Sequence, residues 1–283
     1  MRQFIHLKTK LVSNKFKWTI EKLIIVLLVI ITPYIFGQSK NKNSWSTMQL
    51  KGKVKTINAI EYSVSMEVSD NFGEIQPSKK NISYSNFFDT AGNTIEYNRY
   101  YAGGGLIVKN IYKYDSIGNS IEMNSFDERI ISIEKTTFIH DTDNNVTENI
   151  ILKPNGSLKE KWTFRYDVKG NKIEEKHFDS KEKQIFHLAL FYDSIGRQIE
   201  NKSFTSNGIL ISSETFAYDN NNNIIESTYS ESSNLGTQKL GFAYEFDKNG
   251  NWIKRILYRK GVMTNNRKNN VPISITTRNI EYY

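Results

Sequence analysis

Seven copies of one short pattern, spaced at a nearly constant interval, constrain the fold of this chain more than any other feature of its sequence. Each copy is centred on an aspartate, and the seven are Asp89, Asp115, Asp141, Asp167, Asp193, Asp219 and Asp247. The first five intervals are 26 residues and the last is 28. A fixed period of this length is typical of a repeat architecture, in which each unit packs against its neighbours. Positions within a unit are counted below from its aspartate.

The aspartate and the residue three positions later predict a tight turn. Asp is favoured at the first position of a type I turn and Gly at the fourth, and the carboxylate can accept an N–H two residues on. Position +3 is Gly in five units and Asn in two, Asn144 and Asn222. Asn tolerates the left-handed conformation better than other side chains. We therefore expect a left-handed residue at +3, where a β-branched replacement of Gly170 would strain the backbone.

Two strands are predicted in each unit, one on either side of this turn. Aromatic residues recur at −1 and −3, and this spacing places them on one face of a strand. After the turn, Ile at +6 and an apolar residue at +11 are separated by an odd step, so a β-bulge near +8 is needed to bring them to one face. A second turn follows at +14 to +16, where Asn155-Gly156 and Asn207-Gly208 are favourable hairpin dipeptides.

The predicted fold is all-β, an antiparallel meander of about sixteen strands from seven 26-residue repeats. The predicted divisions are a leader (1–37), an N-terminal capping segment with one strand (38–80), the repeats (81–260) and a C-terminal loop with a capping strand (261–283). An open twisted sheet seldom exceeds about ten strands. We therefore expect a curved or spiralled sheet, whose aromatic face is covered by its own curvature, by the N-terminal segment or by a partner.

The capping segments contain their own signals. Alternating apolar residues from Ile60 to Val68 predict a strand, and residues 70–80 predict a loop. At the other end, residues 265–270 form a polar and basic stretch that predicts a loop. Ile273, Ile275 and Thr277 then predict a closing strand.

The first 37 residues predict export. Leu23 to Phe36 is a run of 14 uncharged residues behind a basic stretch, shorter than the roughly 20 apolar residues of a spanning helix. Gly37-Gln38 suits a cleavage site. We expect a protein that is secreted, periplasmic or on the cell surface after cleavage there. The alternative is a protein anchored by residues 23–36.

Charge and composition exclude several classes of function. The chain has 38 Lys and Arg against 30 Asp and Glu, but residues 1–37 hold a net charge of +5 and leave only +3 for residues 38–283. No nucleic-acid partner is therefore expected. The absence of cysteine from the sequence excludes disulfides and thiolate metal sites.

The repeat unit resembles the YD repeat of RHS and teneurin-type proteins. Tyr192-Asp193-Ser-Ile-Gly196-Arg197 matches that motif most closely, and the units at Asp115 and Asp167 are similar. The likeness covers roughly residues 84–260, and the chain resembles a short version without a toxin domain. The resemblance implies β-sheets that spiral into a hollow shell, and only weakly a carbohydrate ligand.

The recurring acidic residues do not predict an active site. The carboxylates at +7 are Glu96, Glu122, Glu148, Glu174, Glu200 and Glu226. Equivalent residues two strands apart are roughly 9–10 Å from each other in identical surroundings, whereas a glycosidase needs two carboxylates in different environments. A solvated, charged face explains them better.

Other candidate ligands are explained by structure as well. Asp141-Thr-Asp143-Asn-Asn145 resembles part of a calcium loop, but it lacks the glycine and the distant glutamate and is already a copy of the turn. His140 occupies an aromatic position, and His177 and His187 lie in strands without a suitable cluster. No catalytic residue, no cofactor or cofactor-binding residue and no metal ligand is predicted.

The sequence thus predicts an exported, non-catalytic binding or structural module of the cell envelope or exterior, for a glycan or an envelope protein. No membrane contact beyond the leader is expected, and no oligomeric state is predicted. One alternative is a secreted polysaccharide hydrolase with a site not visible in the sequence. Another is an outer-membrane barrel, against which the polar +6 to +11 strands argue.

Overall fold

The computed structural model describes residues 43–64, 77–232, 236–264 and 267–283. The predicted leader, residues 65–68 of the predicted first strand and most of the predicted 70–80 loop lie outside these residues. The described chain begins with one helical turn, α1 (Ser44–Thr47), and continues as sixteen strands. The strands are β1 (Val54–Ser63), β2 (Lys79–Phe88), β3 (Thr94–Tyr101), β4 (Leu106–Tyr114), β5 (Ser120–Phe126), β6 (Ser132–His140), β7 (Val146–Leu152), β8 (Leu158–Tyr166), β9 (Lys172–Phe178), β10 (Gln184–Tyr192), β11 (Gln198–Thr205), β12 (Leu210–Tyr218), β13 (Ile224–Glu231), β14 (Thr237–Phe246), β15 (Trp252–Thr264) and β16 (Arg267–Tyr282).

The sheet is an antiparallel meander that closes into a barrel. Each strand pairs with the next along the chain, and β1 also pairs with β16. The predicted all-β meander of about sixteen strands is confirmed, and its curvature proceeds to full closure. The predicted loop at 265–270 is wrong for residues 267–270, because β16 begins at Arg267 and pairs there with Thr264 of β15; residues 265 and 266 lie outside the described residues. Backbone pairing outweighs the polar composition of that stretch.

The Asp turns have the predicted geometry. In the first unit the Asp89 carboxylate accepts the N–H groups of Ala91 and Asn93 at 2.9 and 2.8 Å, and the Gly92 N–H donates to the Asp89 carbonyl. Asn144 and Asn222 take φ values of 63° and 66°, the left-handed conformation that glycine takes in the other units. This is a three-residue hairpin loop, a type I turn followed by a left-handed residue.

A β-bulge follows each Asp turn, but at +6 and not near +8 as predicted. Phe191 pairs with Glu200 while Tyr192 pairs with Gln198, so Ile199 is the extra residue. The bulge turns the +6 isoleucine to the surface, where Ile199 is 40% exposed. Because the extra residue shifts the alternation, +6 and +11 do lie on one face, the effect for which a bulge was predicted.

Tyrosines connect successive units at these bulges. The Tyr192 hydroxyl donates to the carbonyl of Lys172, which is the +5 residue of the preceding unit, at 2.8 Å. The same bond recurs from Tyr114, Tyr166 and Tyr218, which like Tyr192 are at −1, and from Tyr244, which is at −3 in the last unit. A bulge disrupts the ladder and leaves backbone groups to be satisfied elsewhere, so the hydroxyl supplies a reason for Tyr at this position.

The two faces of the sheet differ in chemistry. The face that carries the −1, −3 and −5 residues holds buried side chains such as Phe164, Met123 and Val146, and we call it the inner face. The opposite, outer face carries the +7 glutamates. Glu96, Glu122, Glu174, Glu200 and Glu226 each pair there with a lysine or arginine. The solvated, charged face predicted for these glutamates is therefore observed.

The Asp-turn end of the barrel is covered by the N-terminal segment. The Trp45 N–H donates to the Gly92 carbonyl, and Trp45 and Met48 pack against a core of Val54, Ile57 and Phe88. This segment covers part of the aromatic face, as one of the predicted alternatives required. The closed sheet leaves the other aromatic residues at −1 and −3 buried or half-buried, except Phe246, which is 43% exposed.

Candidate functional site

The repeats diverge most visibly at position −5 on the inner face. In the first six units this position holds Tyr84, Asn110, Thr136, Trp162, Leu188 and Glu214. A turn or a strand requires no particular residue here, so the position is free to vary with function. Glu214, in the middle of β12, is the acidic member and is only 2% exposed.

Glu214 lies in a small group of buried polar side chains. It pairs in register with Asn201 on β11, and Ser227 on β13 lies opposite the adjacent inner-face residue, Phe216. Asn201 is 6% and Ser227 is 0% exposed. Within the described residues, Glu214 Oε1, Asn201 Nδ2 and Ser227 Oγ have no hydrogen-bond partner. We call these three residues the polar cluster.

Burial dominates the protonation of Glu214. It raises the pKa of this carboxyl to about 7, and Ser227 and Asn201 offset part of that rise because their dipoles favour the charged form. Their influence on the pKa is smaller than that of burial. By contrast, hydrogen bonds from Lys113 and Lys135 hold the pKa of Glu122, on the outer face, at about 2.

More hydroxyl groups extend the polar cluster along the inner face. The hydroxyls of Ser203 and Ser212 are 2.7 Å apart on β11 and β12. On β13, Tyr229 pairs in register with Glu214 and donates to a Glu231 carboxylate oxygen at 3.2 Å. This part of the wall therefore presents donors and acceptors on three consecutive strands.

An aromatic group lies beside it on β8, β9 and β10. The Trp162 and His177 rings are stacked with centroids 4.2 Å apart, and Phe186 meets both edge-on at 5.4 Å. His177 Nε2 lies 2.8 Å from a Glu160 carboxylate oxygen. We call these four residues the aromatic cluster. They are half-buried and lie on the halves of their strands away from the Asp turns.

The conspicuous carboxylates of the sequence lie elsewhere. The seven turn aspartates are at the Asp-turn end, where each accepts hydrogen bonds from its own turn. Asp141, from the calcium-like stretch, accepts from the Asp143 and Asn145 N–H groups and from the Asn145 amide. The part of the chain that the structure describes contains no group of three or more His, Cys, Asp or Glu residues able to hold a metal ion.

The histidines fall on different faces. His140 takes the aromatic position of its unit, and burial lowers its pKa. His187 stacks on Phe204 on the outer face at 5.0 Å, whereas His177 belongs to the aromatic cluster. The sequence predicted that His177 and His187 are surface or structural residues, but it did not predict that they lie on opposite faces of the sheet. The face of each residue depends on the β-bulges.

Comparison with known proteins gives a structural likeness and no sequence relative. No protein family matches the chain, and no curated protein matches its sequence. The barrel is similar to a porin-like protein of known structure. That protein, from Bacteroides uniformis ATCC 8492, is 11% identical, with a TM-score of 0.55 over 82% of this chain and 99% of the other.

Two further structures have lower scores. A porin-like protein from Bacteroides vulgatus ATCC 8482 is 15% identical, with a TM-score of 0.45 over 82% of this chain and 99% of that one. The toxin complex TcdB2-TccC3 is 9% identical with a TM-score of 0.32, over 74% of this chain and 16% of that chain. At these identities the likeness concerns the fold. Among the described residues, no helix is long and apolar enough to cross a membrane.

Proposed function

We propose that this protein is a non-catalytic module of the cell envelope or exterior that binds a glycan at the inner face of its barrel. The observation that carries the proposal is the polar cluster: three neighbouring buried polar side chains, each with an atom that makes no close hydrogen bond to a described residue, around the divergent −5 residue Glu214. An unsatisfied buried polar group costs about 1–3 kcal/mol. A ligand that supplies the missing bonds would recover that free energy.

A glycan fits this chemistry better than other ligands. Its hydroxyls both donate and accept, as Glu214, Asn201 and Ser227 require. Aromatic rings provide flat apolar surface beside such polar groups in ligand sites, and the aromatic cluster supplies it here with the Glu160 carboxylate and His177 imidazole. The half-buried aromatic cluster is the part of the site that a ligand reaches from the end away from the Asp turns.

The charge of the outer face favours a barrel whose outside is in contact with water. Some of the ion pairs on this face involve lysines near the middle of the strands: Lys109 of β4 lies 2.7 Å from Glu96, and Lys135 of β6 lies 2.6 Å from Glu122. An Arg or Lys on a lipid face costs about 2–4 kcal/mol at the bilayer midplane. An envelope or exterior location is also in keeping with the porin-like fold. Cleavage near Gly37-Gln38 and membership of the YD-repeat group are part of the same proposal, the latter supported by seven units in register.

A polysaccharide hydrolase is the second candidate, because a carboxyl with a pKa of about 7 is suited to a general acid. Two carboxyl groups must flank the scissile bond in that chemistry. Glu214 is almost fully buried, and Glu231, the second carboxylate on this part of the wall, already accepts a hydrogen bond from Tyr229. This surrounding favours binding over hydrolysis.

The test is a binding assay of the purified full-length chain against soluble glycans and peptidoglycan fragments, with calorimetry as readout and reducing-sugar release measured in parallel. We expect binding without turnover. Phe186→Leu should weaken binding about tenfold, since an aromatic contact contributes roughly 0.5–1.5 kcal/mol. Glu214→Gln should alter the affinity and remove its pH dependence.

The matched control is Phe204→Leu, because the Phe204 ring also contacts a histidine ring but lies on the outer face. It should leave the affinity unchanged. Binding to no member of the panel, or equal losses in the two leucine variants, would reject the proposal. Sugar release that disappears in Glu214→Gln would favour the hydrolase.

A further inference from the structure

Two arginines face the barrel interior on β15 and β16. Arg255 pairs in register with Tyr244 and with Thr276, which is 4% exposed, and Arg278 lies opposite Ala59, which is 1% exposed. Both guanidinium groups contact the same indole. The Arg278 Cζ is 3.3 Å and the Arg255 Cζ is 5.1 Å from the centroid of the Trp252 ring.

Neither arginine forms a direct ion pair within the described residues, although Glu61 lies in the same cross-strand row as Arg255, opposite Thr276. In the described part of the chain, neither forms an ion pair, and Arg278 Nε is buried without a hydrogen-bond partner. The closest polar contact is a 3.5 Å approach of Arg278 Nη2 to the Tyr84 hydroxyl oxygen. Burial lowers the pKa of Arg255, and although the nearby Tyr244, Tyr84 and Glu61 act in the opposite direction, Glu61 makes no ion pair with it.

Several other cations of the barrel form ion pairs, whereas these two form none among the described residues. Lys172 also lies on the inner wall, and its Nζ is 2.7 Å from a Glu175 carboxylate oxygen. On the outer face Arg165 pairs with Glu174 at 2.8 Å. A charge that is buried without a partner is strongly unfavourable. Arginine stacked on an aromatic ring keeps its N–H fork free to bind an oxyanion.

A row of basic and hydroxyl groups adjoins the two guanidinium groups. Ala59 on β1 lies between Tyr84 and Arg278 in the register of β2, β1 and β16, and the Arg278 and Tyr84 side chains approach each other across it. Arg99 lies opposite Tyr84 on the next strand, β3. Arg278, Tyr84 and Arg99 therefore lie in one row on the inner face.

We propose that Arg255, Arg278 and Tyr84 bind the oxyanion group of a small ligand above Ala59. The group is a carboxylate, sulfate or phosphate, held by the guanidinium N–H groups, with the Tyr84 hydroxyl as a further donor. These residues are distinct from the polar and aromatic clusters, so this site stands independently of the glycan proposal.

The test is thermal unfolding of the full-length chain at constant ionic strength, with sodium chloride replaced in turn by sulfate, phosphate, acetate or glucuronate. We expect a saturable rise in Tm with at least one of them, of about 5 °C or more at 100-fold excess over Kd. Glucuronate alone would identify the acid group of a sugar as the ligand, and sulfate or phosphate a free anion.

Variants distinguish anion binding at this site from the general stabilising effect of such salts. Arg278→Met should unfold at a higher temperature than the wild type without anion, because a half-buried charge without an ion pair is removed, and should lose the saturable response. Arg278→Lys keeps the charge without the fork and should bind at least about tenfold more weakly. Arg165→Met, on the outer face, should respond as the wild type does. No saturable response in the wild type, or an equal response in Arg278→Met, would overturn the proposal.

Discussion

At the scale of single residues, the same side chain has opposite consequences on the two faces of the sheet. Glu122 lies among lysines on the outer face with a pKa of about 2, whereas Glu214 is buried on the inner face with a pKa of about 7. The turn aspartates show a third behaviour, because each carboxylate is used by the N–H groups of its own loop. Their role follows from short-range spacing and could be predicted. The protonation state of Glu214 depends on the face of the sheet on which it lies. The β-bulges determine this face, and the sequence spacing predicted each bulge two residues later than its observed position.

Stability should fall with pH because of Glu214. Its folded pKa lies above the unfolded value, so between about pH 4.5 and 7 the native state binds more protons than the unfolded state. Raising the pH through this window should lower the free energy of unfolding by roughly 3 kcal/mol, and Glu214→Gln should remove that slope. Urea titrations at pH 5, 6, 7 and 8 measure it. Glu122→Gln is the control and should leave the slope in place; a slope that persists in Glu214→Gln would contradict the assignment.

At the scale of elements, successive hairpins are joined by side chains as well as by the strand ladder. The Tyr192 hydroxyl reaches the Lys172 carbonyl at the bulge of the preceding unit, and four other units repeat this bond. The aromatic character of −1 could be predicted from alternation. The need for a hydroxyl could not, since its acceptor lies 20 residues away on another hairpin.

Removing one of these hydroxyls should weaken the junction of two units. Tyr192→Phe keeps the ring but leaves a carbonyl without its donor, so we expect a loss of about 1–2 kcal/mol in the free energy of unfolding. Chemical denaturation measures the loss, and hydrogen exchange should localise it to β9 and β10. Tyr258→Phe, on the outer face, is the matched control with little expected effect. Equal losses in the two variants would show that the bond contributes nothing specific.

At the scale of the whole molecule, closure depends on the residues that flank the repeats. The Asn251 side chain accepts from the Lys51 N–H and donates to both the Lys51 carbonyl and the Tyr282 hydroxyl. The Tyr283 N–H donates to the Lys53 carbonyl. The number of strands was enough to predict a curved sheet. The closure of the sheet could not be predicted, because it depends on contacts such as that between Asn251 and Lys51, which are 200 residues apart.

The seam should therefore be sensitive to Asn251. Asn251→Ala should cost about 2–3 kcal/mol, because several buried groups lose partners together. Asn223→Ala removes the same side chain from the preceding unit, where it bonds only to Asp219 of its own turn, and should cost about 1 kcal/mol. Denaturation of the two variants gives the comparison, with exchange of the β1 and β16 amides as a second readout. A larger loss in Asn223→Ala would contradict the role of Asn251.

The pairing of β1 with β16 also places the first and last strands side by side. The order in which the chain visits the strands is then separable from the barrel itself. A short linker from Tyr283 to the start of β1, combined with new termini at an exposed loop such as Lys153–Ser157, gives a circular permutant with every hairpin but one retained. In a closed ring of strands no strand has to be the first, so the positions of the two termini can be changed while the barrel is kept.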